Sequence, residues 1–113
     1  MIDRPIFWIG SSRRHLRDFP DEARQRVGFE LRAVQRAEEP SNFKPMPTIG
    51  PGVYEIRIQT GGAFRVFYLT KFDEGVYVLH AFQKKTQKTS KQDIKIGRQR
   101  FKTAQEFHQQ TRK

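Results

Sequence analysis

Three short apolar runs with the character of strands follow one another between residues 53 and 82, joined by turns short enough to force hairpins. No other feature restricts the fold as much. Val53 to Gln59 alternates Tyr54, Ile56 and Ile58 with Glu55, Arg57 and Gln59, the pattern of a strand with one buried and one polar side. Thr60-Gly61-Gly62 closes it, because glycine supplies the positive φ that a tight hairpin needs. Ala63 to Thr70 reads as the next strand, Phe72-Asp73-Glu74-Gly75 as the second turn, and Val76 to Phe82 as the third strand. Strands joined this closely run antiparallel, so a meander sits at the centre of the fold.

Helical patterns flank it. Ser11 or Ser12 is placed to cap a short helix from Arg13 to Phe19. Pro20-Asp21-Glu22 opens a second helix: proline suits the first turn, and the two acids complement the positive end of the helix dipole. Ala23, Val27, Leu31 and Val34 then recur at helical spacing as one apolar stripe that stops near Ala37, and the short Phe19-Pro20 corner makes the pair a helical hairpin. A last helix is predicted from Lys91 to His108, capped by Thr89 or Ser90. There Ile94, Phe101 and His108 repeat every seven residues beside Gly97 and Ala104. Ile6 to Ile9 reads as a further short strand whose place in the sheet the pattern leaves open. Pro40 to Gly52 holds four of the six prolines and reads as an extended loop pinned by Phe43, Met46 and Ile49.

These elements predict a single domain over residues 1–113, of α+β class. A small, mostly antiparallel sheet carries an N-terminal helical hairpin on one face and a basic C-terminal helix, with the helices expected to cover one face. Ten phenylalanines in so polar a chain argue for a packed core rather than disorder. The charge is lopsided: residues 1–83 hold 12 Lys/Arg and 10 Asp/Glu, a net of +2, and residues 84–113 hold 10 and 2, a net of +8. Such asymmetry favours a polyanionic partner, either nucleic acid or an acidic protein.

The absence of cysteine rules out disulfides and thiolate metal sites and fits a reducing compartment. Three scattered histidines without an acidic cluster argue against a zinc or two-metal nuclease, and no Gly-Lys nucleotide loop occurs, so neither metal nor cofactor is expected. The apolar run near the start is too short for a signal-peptide core or a membrane span, which predicts a cytoplasmic protein without membrane association.

Three stretches carry a resemblance. Tyr54-Glu55-Ile56-Arg57, then Phe64-Arg65-Val66-Phe67-Tyr68, then Leu79-His80-Ala81-Phe82-Gln83-Lys84-Lys85-Thr86-Gln87-Lys88-Thr89 together resemble the HigB-like, phage-derived branch of the RelE toxin superfamily. The pattern there is an E-x-R strand, an R-V-x-Y strand and an F-x-K-K-T-x-K-T-P segment entering a helix. Ser90 stands where that pattern commonly has proline, and no tyrosine lies near the carboxy-terminal end. The resemblance implies a RelE-like fold and a type II toxin that cuts messenger RNA in the ribosomal A site. It also implies a cognate antitoxin, HigA-like with a helix-turn-helix domain, through which the pair meets operator DNA. Two other readings stay open. A same-fold toxin acting on DNA gyrase, as in ParE-like relatives, relies less on a basic centre. A non-catalytic RNA-binding module would interleave aromatics with its basic residues, and Lys84 to Arg100 contains none.

Metal-free RNA cleavage proceeds by attack of a ribose 2′-hydroxyl on the adjacent phosphate. It requires a base, an acid for the leaving oxygen, and cations for the charge building on phosphorus. Arg65, His80, Lys84 and Lys85 are the candidate catalytic residues. Arg65 reads either as a phosphate clamp or as a buried, paired arginine, and His80 either as a general base or as a hydrogen-bonded core histidine. A lysine serves as base only if neighbouring cations lower its pKa. Phe82 reads as a stacking ring or as core, and Arg57 as a phosphate contact or as a partner of Glu55 or Glu74. His80, Phe82 and Lys84 share a parity and face one side if the strand continues that far. Lys88, Lys91, Lys95 and Arg98 are expected to meet ribosomal RNA, and Tyr68 to sit in the core with its hydroxyl reaching towards the site.

Overall fold

In the computed structural model, which describes residues 3–111, the meander forms from β3 (Val53–Gln59), β4 (Ala63–Leu69) and β5 (Val76–Lys84), all paired antiparallel. Two short strands complete the sheet. β1 (Ile6–Trp8) runs parallel to β5, and β2 (Phe43–Pro45) runs antiparallel to β3, giving the order β1-β5-β4-β3-β2. The helices are α1 (Ser12–Arg17), α2 (Asp21–Gln35) and α3 (Lys91–Thr111). None is long and apolar enough to cross a membrane.

The helices do not share a face. Ile56, Ile58, Phe64, Val66, Tyr68, Val76 and Val78 meet Leu16, Phe19, Ala23, Val27, Leu31 and Val34 of the helical hairpin. Val53, Phe67, Leu69, Tyr77, Leu79 and Phe82 point the other way and meet Phe101 and Ala104 of α3. The reason lies in β4 and β5, which are apolar on both sides. Leaving Phe67, Leu69, Tyr77 and Leu79 bare would forgo about 1.5–3 kcal/mol each, so a second layer is required. Gly97 lets α3 come close: a Cβ there would lie 2.9 Å from Ile49 and 3.0 Å from Phe67.

β2 is a strand where a loop was expected. The prolines around it suit a sheet edge, where a missing backbone donor faces solvent, and Pro45 is itself part of β2. The two serines near α1 serve tertiary contacts rather than a cap. Ser11 makes no side-chain capping bond but accepts from Arg100 Nη2 at 2.8 Å, and Ser12 Oγ donates to the Val78 carbonyl at 3.1 Å. At α3 the expected cap is present: Ser90 Oγ accepts from the Asp93 backbone N–H at 3.1 Å and donates to Asp93 Oδ2 at 2.7 Å. Proline, common at that position in the resembling pattern, has no such side-chain oxygen. α2 ends in a paired-bond cap, with Glu38 N–H donating to Ala33 O at 2.8 Å and Ala37 N–H to Val34 O at 3.0 Å. That places Ala37, rather than glycine, at φ 63°.

An irregularity in β5 decides which side of the sheet its later residues face. Phe67 pairs with His80, but Tyr68 pairs with Val78, so Leu79 is an extra residue in β5. Leu79 belongs to the α3 side, as does the His80 ring, which stacks on Phe82; Ala81 returns to the hairpin side. The Leu79 carbonyl, displaced from the ladder, accepts from Arg100 Nη1 at 3.1 Å.

Candidate functional site

Beyond the bulge, β5 presents His80, Phe82 and Lys84 to the side that β4 lines with Arg65 and Phe67 and β3 lines with Val53, Glu55 and Arg57. The strand does persist to Lys84, as shared parity required. Cross-strand register sets Arg57 opposite Arg65, Arg65 opposite Phe82, and Lys44 of β2 opposite Glu55. Lys44, Arg57, Arg65 and Lys84 therefore gather at one end of this face around a single carboxylate. Like charges directly opposite cost about 0.2–1 kcal/mol, a cost that a neighbouring carboxylate reduces.

Glu55 is that carboxylate. It is 1% exposed, and its Oε1 lies 3.7 Å from Arg65 Nε, itself on a residue only 6% exposed. Arg65 Nη1 donates to its neighbour's Phe64 carbonyl at 3.0 Å. Neither Arg65 Nε nor Glu55 Oε2 has a hydrogen-bond partner. Arg65 is thus buried and paired, the second of the two readings the sequence allowed, and its unbonded Nε lies inside the protein beside Glu55. Burial lowers its pKa, with Glu55 opposing and Arg57 adding. Lys84 is half-buried, and its ammonium is destabilised first by burial and next by Arg65, with Lys44 and Arg57 adding and Glu55 opposing. Burial and those neighbours shift it in the direction a lysine base requires.

Phe82 is part of the core, with its ring 5.2 Å from Phe67 and 4.9 Å from His80. His80 lies deeper still. It is 3% exposed, and its Nε2 is 2.7 Å from Asp93 Oδ1. Burial depresses its pKa most, Asp93 pulls it back, and Arg100 and His15 lower it again. The lowered pKa favours the neutral ring, in which Nε2–H donates to the carboxylate; Nδ1 has no partner. It ties β5 to the first turn of α3 and does not reach the open face.

The other candidates separate from this cluster. Lys85 and Lys88 are exposed beyond the strand end. Lys91, Lys95 and Arg98 line a shallow groove along α3 with Thr89, Ile94 and Gln99, and Arg98 Nε donates to the Thr48 carbonyl at 2.7 Å. Tyr68 faces the helical hairpin, so its hydroxyl cannot reach the cations, contrary to expectation. Neither acid offered to Arg57 pairs with it: Glu55 faces Arg65, and Glu74 accepts from Tyr77 at 2.7 Å and contacts His108. His108, predicted as the last residue of the helix, stacks on Phe72 at 3.8 Å in a helix that runs on to Thr111.

Sequence reasoning missed Lys44 and Asp93, and offered Glu55 to Arg57 rather than to Arg65. Lys44 was hidden because its strand could not be read through the prolines. Glu55 shares parity with Arg57, a signal that was available. Asp93 three residues after Ser90 marks a capping position but not its bond to His80. Among the described residues no group of three or more His, Asp and Glu side chains could hold a metal ion. Residues 14–102 match the family model described as phage-derived protein Gp49-like (DUF891). No curated protein matches the chain.

Proposed function

The chain belongs to the Gp49-like family of phage-derived proteins, a RelE/ParE-like toxin family, and from that premise we propose a HigB-like type II toxin that cuts messenger RNA on the ribosome without a metal. The observation that carries the reading is the gathering of Lys44, Arg57, Arg65 and Lys84 around one buried carboxylate. Arg65 and Arg57 take the non-bridging oxygens of the scissile phosphate, where negative charge grows. Lys84, with its pKa lowered, takes the 2′-hydroxyl proton as the free amine. A neighbouring ammonium, Lys85 or Lys44, returns a proton to the leaving 5′-oxygen. Phe82 is the apolar floor between Arg65 and Lys84 on which a base rests. Lys88, Lys91, Lys95 and Arg98 meet ribosomal RNA backbone. His80 acts as a positioning residue: through Asp93 and Phe82 it fixes α3 and the floor.

The family implies a cognate antitoxin; a HigA-like partner with a helix-turn-helix domain would carry the pair to operator DNA. The test is to induce the chain alone in cells, follow growth and map messenger RNA 5′ ends. Arrest with new cuts inside translated regions is expected. Lys84→Ala, checked for unchanged circular dichroism, should lose about 10²–10⁴-fold of the cutting. Arrest without new cuts, or cutting indifferent to Lys84, overturns the assignment.

A further inference from the structure

On the side of the sheet away from the cations, a cleft of about 520 Å³ opens between the end of α2, β2 and the paired Tyr54 and Tyr68. That volume is within the roughly 300–1,000 Å³ of small-molecule clefts. Phe43, Tyr54 and Tyr68 wall it with their rings, at centroid separations of 5.7 and 5.9 Å. Glu38 and Glu39 follow the α2 cap and line the same cleft, and neither makes an ion pair among the described residues. Tyr68 is 3% exposed, and its hydroxyl makes no hydrogen bond among the described residues. Burial, then Tyr54, Glu39 and Glu30, hold that hydroxyl above its usual pKa, so it stays protonated in a negative local field. Arg4 is the one cation in the lining. Its Nη2 is committed to the carbonyls of Thr70, Phe72 and Gly75 at 3.0, 2.7 and 3.0 Å. In a protein of net charge +10, this cleft is a place where acids outnumber bases.

We propose that the cleft binds an arginine side chain presented by a partner protein. Aromatic faces attract a cation by about 0.5–2 kcal/mol, more as water is excluded. A planar guanidinium can stack on a ring while its edge donates to two carboxylates, which an ammonium cannot do. The Tyr68 oxygen accepts a further donor, and the methylene stem lies along the apolar wall at Val34 and Pro40. Phosphate groups are excluded by Glu38 and Glu39. A partner held here leaves the opposite, cationic face uncovered. The inference is independent of the ribonuclease reading.

The experiment titrates the ¹⁵N-labelled full chain with Nα-acetyl-arginine amide and follows backbone amides, with the neutral citrulline analogue as control. Saturable shifts confined to the end of α2, β2 and the Tyr54–Tyr68 pair are expected, with none for citrulline. Glu38→Gln/Glu39→Gln should weaken binding about tenfold or more, a loss of roughly 1.4 kcal/mol, while its spectrum reports an intact fold. Shifts of equal size with citrulline, shifts only on the cationic face, or affinity unchanged in the double variant would each overturn the proposal.

Discussion

Glu55→Gln removes one charge from a buried position while keeping its shape. The Glu55 carboxylate lies 3.7 Å from Arg65 Nε, and at an effective dielectric of about 20 that separation corresponds to roughly 4.5 kcal/mol of attraction. Part of this offsets the cost of burying both charges, and Arg65 keeps its bond to the Phe64 carbonyl. The substitution also leaves Arg57 and Arg65 facing each other unopposed. The expected net loss is about 2–3 kcal/mol, somewhat under the roughly 3–5 kcal/mol typical of breaking a buried pair, because this pair lacks a direct hydrogen bond. Adding Arg65→Gln removes the orphaned cation, so the double variant should recover most of the loss. Urea denaturation reads all three variants through the midpoint at constant slope. A loss under about 0.5 kcal/mol for Glu55→Gln, or a double variant that is simply additive, would show that the carboxylate does not hold the arginine, and the reasoning fails.

Three further outcomes rest on the same geometry. Because Lys84 is held below the usual lysine range by burial and by Arg65, single-turnover RNA cleavage should rise with pH and level off before 10.5; a flat profile would remove Lys84 as the base. Gly28 has open space around it and Gly97 does not, so Gly28→Ala should stabilise by about 1 kcal/mol and Gly97→Ala should destabilise by about 1–3 kcal/mol, both read from thermal midpoints. Burial alone would raise the Glu74 carboxyl, but hydrogen bonds from Tyr77 and His108 outweigh it and hold the group below 4.5. A lowered folded-state pKa gives stability that is present above the unfolded value and lost as pH falls through the folded one. The destabilisation caused by Glu74→Gln should therefore be full at neutral pH and shrink below pH 4.5; equal effects at both ends would contradict it.

The elements were legible because their signals are local. Period-two alternation placed β3 at Val53–Gln59, apolar runs bounded by glycine turns placed β4 from Ala63 and β5 from Val76, and the stripe Ala23, Val27, Leu31, Val34 placed α2. Ser90 and the Phe101–Ala104 seam placed α3. The E-x-R and R-V-x-Y strands and the lysine segment pointed to Arg57, Arg65, Lys84 and Lys85 as the basic residues to examine. Alternation, however, says only that residues share a side, not which side, and one extra residue reverses the answer. The bulge at Leu79 turned His80, Phe82 and Lys84 towards Arg65 and away from the helical hairpin. Its carbonyl is satisfied by Arg100, 21 residues away in the chain. Pairing of an edge strand through prolines brought Lys44 opposite Glu55, and a sheet apolar on both sides sent α3 to the face where Asp93 could bind His80. Local sequence determines φ, ψ and periodicity; which face a side chain finally occupies depends on contacts between residues far apart in the chain, and those exist only once the whole sheet is built.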